Sequence, residues 1–264
     1  MKIISKMLVM LCVVSLGVTS CSKEVKIPEA QDGISEETKA KIAALGFNSS
    51  SAYASDGGYI VEGDIFLTDA TLNERPTSPF LRIAGNEQYH TFNLVTGWPR
   101  TITVSSSGNV NAAVSSAIDG AIARYNAEPI GLTFVRVSSG GNINIKIVNG
   151  GSYIASAGFP SGGNPYGEVK FNKQYQNYSS GFLTTVITHE MGHCIGFRHT
   201  DYMDRSYSCG SGGNEGQETS GVGAVNIPGT PTGPDAASFM LACLSSTTNR
   251  PFNANDKTAL AYLY

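Results

Sequence analysis

Eleven positions, 189–199, hold three of the four histidines of this 264-residue chain, in the run HEMGHCIGFRHTD. No other stretch constrains the local fold as tightly. His189 and His193 are four apart, so on a helix their side chains share a face about one turn apart and can grip a single ion. His199 is different, because ten residues of unbroken helix would carry it about 15 Å along the axis. Zinc–nitrogen bonds are roughly 2.0–2.1 Å long, so the helix has to stop and the chain has to turn back if a third imidazole is to reach the same ion. Gly196 supplies the means: without a Cβ it can take the left-handed conformation that ends a helix and redirects the chain.

Three neutral imidazoles leave the fourth position of a tetrahedral zinc open to water, which distinguishes a catalytic site from a closed structural one. Glu190 follows His189 directly and projects from the neighbouring flank, near the ion but badly placed to ligate it. Its role is therefore read as general base: it takes a proton from the zinc-bound water and passes it to a leaving amine. An HExxH alone arises by accident often enough to be moderate evidence, whereas the extended spacing with Gly196 and His199 is far more specific. His90 has no histidine near it in sequence and is read as an ordinary surface or core residue.

The ends of the chain speak about location. Lys2 and Lys6 precede a short apolar run, 7–18, that is too short to cross a bilayer core needing about 20 apolar residues. The run closes on Val18-Thr19-Ser20-Cys21, which resembles the lipobox of bacterial lipoproteins. That resemblance implies cleavage before Cys21 and lipid on its thiol, with the mature protein anchored to a membrane, at the outer membrane or cell surface with the periplasmic side open; an ordinary secretory signal is the alternative, and both mean export. Of the five cysteines, Cys12 leaves with the leader and Cys21 takes lipid. Cys194, inside the histidine run, reads as a small buried hydrophobe, which leaves Cys209 and Cys243 as the expected disulfide. A net charge of -3 with 15% charged residues offers no basic field for nucleic acid, and that class of partner is set aside. Oligomeric state stays open.

Apolar patterning divides the rest. Residues 1–20 are the leader, 21–90 a tether and accessory segment too thin in apolar residues to stand as a sturdy domain, and 91–264 the catalytic domain. Strands are expected at 101–104, 132–137, 142–148, 168–172 and at an edge near 153–159, with helices at 36–45, 110–126, from 180 through the histidines, and at 255–262. Strand, helix, strands, helix is an α+β pattern, a sheet covered by helices. The stretch from 201 to about 233 is rich in Gly and Ser and irregular.

HExxHxxGxxH is the metzincin signature, and HEMGHCIGFRHTD resembles the dual-action HEIGH metallopeptidases. The similarity extends through GFRHTDYMDR, SFMLAC and the terminal NRPFNANDKTALAYLY. It implies a metzincin-like zincin: a twisted mixed sheet above, the active-site helix at the floor of a cleft, an irregular lower subdomain and a C-terminal helix. It further implies one catalytic Zn2+ on His189, His193 and His199, an endopeptidase acting on protein or peptide, and a methionine in a tight turn beneath the metal. Met240 in Ser238-Phe239-Met240 fits that turn, where a thioether packs against the histidine rings; Met203, in a polar stretch, fits less well. Two residues on stands Ala242, where astacin-type enzymes place a tyrosine, so stabilisation from that position is in doubt. Asp201 and Arg205 are read either as groups orienting the ligands or as a plain salt bridge.

Two stretches carry alternatives. YIASAGFP, 153–160, resembles the rim strand along which metzincins add substrate antiparallel, or it is a buried strand. VEGDI, 61–65, has first the plain reading of a strand ending in a Gly-Asp turn. Second, it is similar to the pro-segment motif of astacin-like zymogens, in which Asp64 would occupy the open metal position and hold the enzyme latent. For the whole chain, the competing function is a surface binding module or adhesin with a non-catalytic zinc, and an amidase would use the same water.

Overall fold

In INIKIV, 143–148, every second residue is buried, the period-2 signature of a strand with one covered face. The computed structural model that gives this picture describes residues 33–73, 88–214, 222–231 and 233–264; the leader and Cys21 lie outside them. The N-terminal part contains α1 (Glu36–Ala44), β1 (Tyr53–Ser55), β2 (Gly58–Val61), β3 (Ile65–Thr68), α2 (Asp69–Leu72) and β4 (Tyr89–His90). Then come β5 (Arg100–Ser107), α3 (Ala112–Asn126), β6 (Leu132–Arg136), β7 (Ile143–Val148), β8 (Ala155–Ala157), β9 (Glu168–Asn172) and α4 (Ser180–Ile195). The last elements are β10 (Phe197–Arg198), α5 (Ser206–Cys209), β11 (Val225–Asn226) and α6 (Ala254–Leu263).

Eight strands form one mixed sheet in the order β1-β2-β3-β8-β9-β7-β5-β6. The half from β6 to β9 is parallel, β8 runs antiparallel to β9, and β1 to β3 form an antiparallel meander. The parallel β5 and β6 are joined by α3, as parallel neighbours need a crossover. Asn111 accepts a bond from the Val114 N–H and starts that helix two residues later than apolar spacing alone predicts. Its buried stripe is Val114, Ala117, Ile118, Ala121, Ile122 and Tyr125. α3 crosses α4 closely at Gly120, where a Cβ would stand 3.1 Å from the Thr184 methyl. From Phe182 onward α4 is buried on nearly every side, the condition of a helix enclosed by the protein rather than riding on its surface.

The segment before residue 90 does not stand apart. Ile42, Leu45, Phe47, Val61, Ile65 and Leu67 share a buried cluster with Phe159 and Val222 from later in the chain, and β3 pairs parallel with β8 at Ile65 and Ala157. The expected edge strand at 153–159 is therefore three residues long and has β3 on its free side. Long loops follow His199, tied by a disulfide between Cys209 and Cys243 that spans 34 residues; Cys194 is a buried free thiol.

α6 closes the lower part through Asp256. Its Oδ2 accepts the Asn253 N–H at 2.9 Å, completing a capping box, and the Phe239 N–H at 3.2 Å. Its Oδ1 accepts the Ser238 hydroxyl and the Gln88 amide, both at 2.8 Å. Four donors converge on a fully buried carboxylate, and burial still outweighs them enough to push its pKa up to about 6. Asp256→Asn turns one acceptor into a donor facing two backbone N–H groups, so a loss of about 2–3 kcal/mol is expected in chemical denaturation at pH 7. Because the folded pKa is raised, this group's contribution is complete below about pH 4 and declines as pH rises through about 6. The wild-type stability profile should carry that decline and the Asn variant should lack it.

Candidate metal centre

α4 presents His189 and His193 from adjacent turns, and Gly196 ends the helix in the left-handed conformation at φ 114°. The space around Gly196 reinforces the demand for glycine, since a Cβ there would lie 2.9 Å from the Asn93 carbonyl oxygen and 2.7 Å from Leu94. The chain then reverses into β10, which pairs with β4, and His199 comes back beside the helix. Ring centroids of the three histidines are 4.7, 4.9 and 5.2 Å apart.

Two carbonyls set the ring orientations. His189 Nδ1 donates to the Phe239 oxygen at 2.8 Å, and His193 Nδ1 donates to the Phe197 oxygen at 2.8 Å. Each bond fixes the tautomer that leaves Nε2 with a free lone pair, the arrangement usual for ligating histidines. The two Nε2 atoms are 3.1 Å apart. Burial, followed by the neighbouring His189 and His199, holds His193 well below the ordinary imidazole range and keeps it neutral.

Asp64 is the fourth member. Its Oδ2 is 3.3 Å from His189 Nε2 and 3.2 Å from His199 Nε2, and the ligand atoms of Asp64, His189, His193 and His199 all lie within 4.8 Å of one another. A tetrahedron with arms of roughly 2.0–2.1 Å has edges of about 3.3–3.4 Å, so the closest of these separations match the shell of one small divalent ion. Burial opposes the charge on Asp64, but His199 and His189 beside it hold the carboxyl well below the usual range. Its Oδ1 is buried without a hydrogen-bond partner among the described residues. Glu62 (φ 56°) and Gly63 (φ 92°) make the turn between β2 and β3 that the plain reading of VEGDI expects, and that turn brings Asp64 to the histidines.

Glu190 is buried, and its Oε2 also has no partner among the described residues. Burial first, then the Asp64 charge, push its carboxyl well above the usual range, with His199 opposing. Met240 is fully buried against α4: a Cβ on Gly192, the residue before His193, would stand 2.6 Å from its sulfur. Met203 packs instead beside Tyr89, Tyr202 and Ala224. Asp201 accepts the Ala242 N–H at 3.0 Å, and the Thr200 N–H donates to the Met240 carbonyl at 2.9 Å, so the loop after His199 is laced to the methionine turn. Arg205 reaches the Cys209 sulfur at 3.5 Å. Asp201 also accepts the Ser208 hydroxyl, at 2.5 Å. His90 sits in β4, partly buried, with Nδ1 on the Thr91 carbonyl.

Two residues escaped the sequence reading. Arg198 is fully buried, and its Nη2 donates to both Glu62 oxygens at 3.0 and 3.2 Å. The available signal was a lone cation inside the apolar run CIGFRH.

Three imidazoles and a carboxylate that converge within ion-coordinating distance, with a second buried carboxyl one residue along the same helix, make a site suited to hold a metal ion. Over residues 59–264 the chain matches the dual-action HEIGH metallo-peptidase family and belongs to it; it is a metallopeptidase. The helix reads HEMGH where the family description spells HEIGH, and the differing side chain, Met191, is fully buried, a place where one large apolar residue replaces another at small cost. Membership decides for a hydrolase over a binding module. No curated protein matches the chain significantly. Two solved structures of myroilysin resemble it at 18% identity: one at TM-score 0.45 covers 66% of this chain and 96% of its own, and the other at 0.43 covers 66% and 86%.

Gly196→Ala would force a left-handed alanine against the Asn93 carbonyl. About 2 kcal/mol of stability should be lost, with metal affinity falling roughly 10–100-fold as His199 shifts. Metal titration of the two proteins measures this, and equal affinities would contradict the role given to the turn.

Proposed function

We propose that the chain is an exported zinc endopeptidase, lipid-anchored through Cys21, whose cleft is closed by its own N-terminal hairpin. The observation that carries the reading is the convergence of His189, His193, His199 and Asp64 on one ion-sized point beside Glu190. The donor set, three imidazoles and one carboxylate, suits zinc. When bound, zinc would polarise the scissile carbonyl and make an adjacent water easier to deprotonate.

The chain's residues then divide the work. His189, His193 and His199 hold the ion. Phe239 and Phe197 orient the first two rings, while Met240 supports the helix beneath them. Glu190, whose carboxyl burial pushes well above the usual carboxylate range, takes a proton from the attacking water and gives it to the departing amine.

The hairpin blocks this in two ways. Asp64 holds the position water would need, and its own carbonyl accepts the Ala157 N–H of β8 at 2.9 Å. β8 is the rim expected to take substrate by strand addition, and β3 already pairs with it, in parallel. Displacing residues 58–68 would expose both the ion and the β8 edge together. Lys2, Lys6, the apolar run and Val18–Cys21 support export and lipidation; a single acyl chain anchors only marginally, so two or more would be needed.

Three matched proteins test the catalytic and latency readings. Zinc-loaded Asp64→Ala should cleave a peptide library at least about tenfold faster than wild type once the competing carboxylate is gone. Adding Glu190→Gln should keep the zinc and lower the rate by roughly 10²–10⁴-fold. Cleavage undiminished by the Gln variant would remove Glu190 from the chemistry, and no gain from Asp64→Ala would remove the latency. For the anchor, radiolabelled palmitate fed to expressing bacteria should mark the wild-type protein and not Cys21→Ala; equal labelling would refute it.

A further inference from the structure

Arg198 stands in β10, two residues after Gly196 and next to the ligand His199, and is fully buried. Arginine is almost never fully buried unless paired, and here the guanidinium is completely enclosed. A single nitrogen, Nη2, reaches both oxygens of Glu62, a charge-assisted contact of the kind arginine makes with carboxylates. Nη1 is fixed by the Val222 carbonyl at 2.8 Å. The plane lies over the Phe47 ring at 4.3 Å and nearer its edge meets Phe159, at 5.9 Å. His199 Nδ1 approaches the same Glu62 carboxylate at 3.7 Å. Arg198, Val222, Phe159 and His199 all belong to the part of the chain after residue 90; the hairpin contributes Glu62, and the segment before it contributes Phe47.

Glu62 is also held at a backbone angle, φ 56°, that side chains of its kind rarely take. The next but one residue is Asp64, whose carboxylate stands at the histidines and whose carbonyl is bonded to β8. The tip of the hairpin therefore sets one acid at the histidines and a second against Arg198 two residues away. A structural ion pair gains little from such burial, whereas a pocket with a rigid cationic fork, an aromatic wall and an imidazole suits an acid that comes and goes.

We propose that Arg198 is the specificity-determining base of an anion-accepting subsite, that Glu62 fills it as an internal mimic of substrate, and that the open enzyme cleaves peptides bearing a glutamate or aspartate within a few residues of the scissile bond. This rests on the peptidase reading and on displacement of the hairpin. Because β3 runs parallel to β8, opposite to the antiparallel direction of an added substrate, positions on both sides of the bond are candidates.

The test uses full-length, zinc-loaded Glu62→Ala/Asp64→Ala protein and peptides differing only in Glu versus Gln at each position within three residues of the cleaved bond. At one position Glu should be favoured by about tenfold or more in kcat/KM, as expected where a site built for a polar group meets one lacking it. Adding Arg198→Gln should bring that ratio near one, and Arg198→Lys should keep part of it. A ratio near one in the double variant overturns the subsite even if the Arg198 variants fail to fold, and so does a ratio that survives Arg198→Gln. Fluorescence anisotropy of the same peptides on the double variant carrying Glu190→Gln separates the readings. Glu-selective binding without any cleavage by the active form keeps the subsite and sinks the peptidase; cleavage without selectivity does the reverse, and neither binding nor cleavage sinks both.

Discussion

Everything in this molecule depends on two imidazole Nδ1–H groups being held by backbone carbonyls, those of Phe239 and Phe197. A buried cluster of histidines is unfavourable when left to itself, because the rings lose water and repel one another if protonated. Tying each Nδ1 to a carbonyl fixes the ring and aims its Nε2 lone pair at one point, while burial holds His193 neutral against the pull of its own carbonyl bond. The rest of the lower half serves those carbonyls. Asp256 holds the Phe239 N–H and Ser238, and α6 exists to bring Asp256 there. Phe197 is placed by the left-handed turn at Gly196 and by the pairing of β10 with β4.

That logic explains which parts were legible in the sequence. Histidine spacing and a glycine at 196 are local, and the three-dimensional consequence of each follows from helix geometry alone. The strands at 143–148 and 168–172 and the helix stripe of α3 are legible for the same reason: burial imprints a period on nearby residues. Asp64 was a different case. Its turn could be read from Gly63 and Asp64, but placing that turn against a histidine cluster 125 positions later came only from the likeness of VEGDI to a pro-segment motif, not from any local physical signal. The pairing of β3 with β8 likewise has no local signature, and so a strand expected at an edge turned out to be covered. Arg198 was missed because its partner is 136 residues away in the chain and the surrounding run looks simply apolar.

Two carboxylates beside the histidines, Asp64 and Glu190, are pushed in opposite directions. Asp64 is drawn down in pKa by two histidines, while Glu190 nearby is driven up by burial and by Asp64 itself. Two neighbouring acids whose surroundings push them apart favour the anion at one and the neutral form at the other. The same hairpin that brings Asp64 to the histidines also pairs β3 with β8, so the histidine cluster and that strand edge are covered together.

The central claim is that four side chains from two distant parts of the chain surround one metal ion. X-ray absorption at the zinc edge, on the full-length native protein, tests it most directly. One equivalent of zinc with three nitrogen neighbours and one oxygen neighbour at roughly 2.0–2.1 Å is the expected result. Substoichiometric metal, or sulfur in the shell, would contradict it.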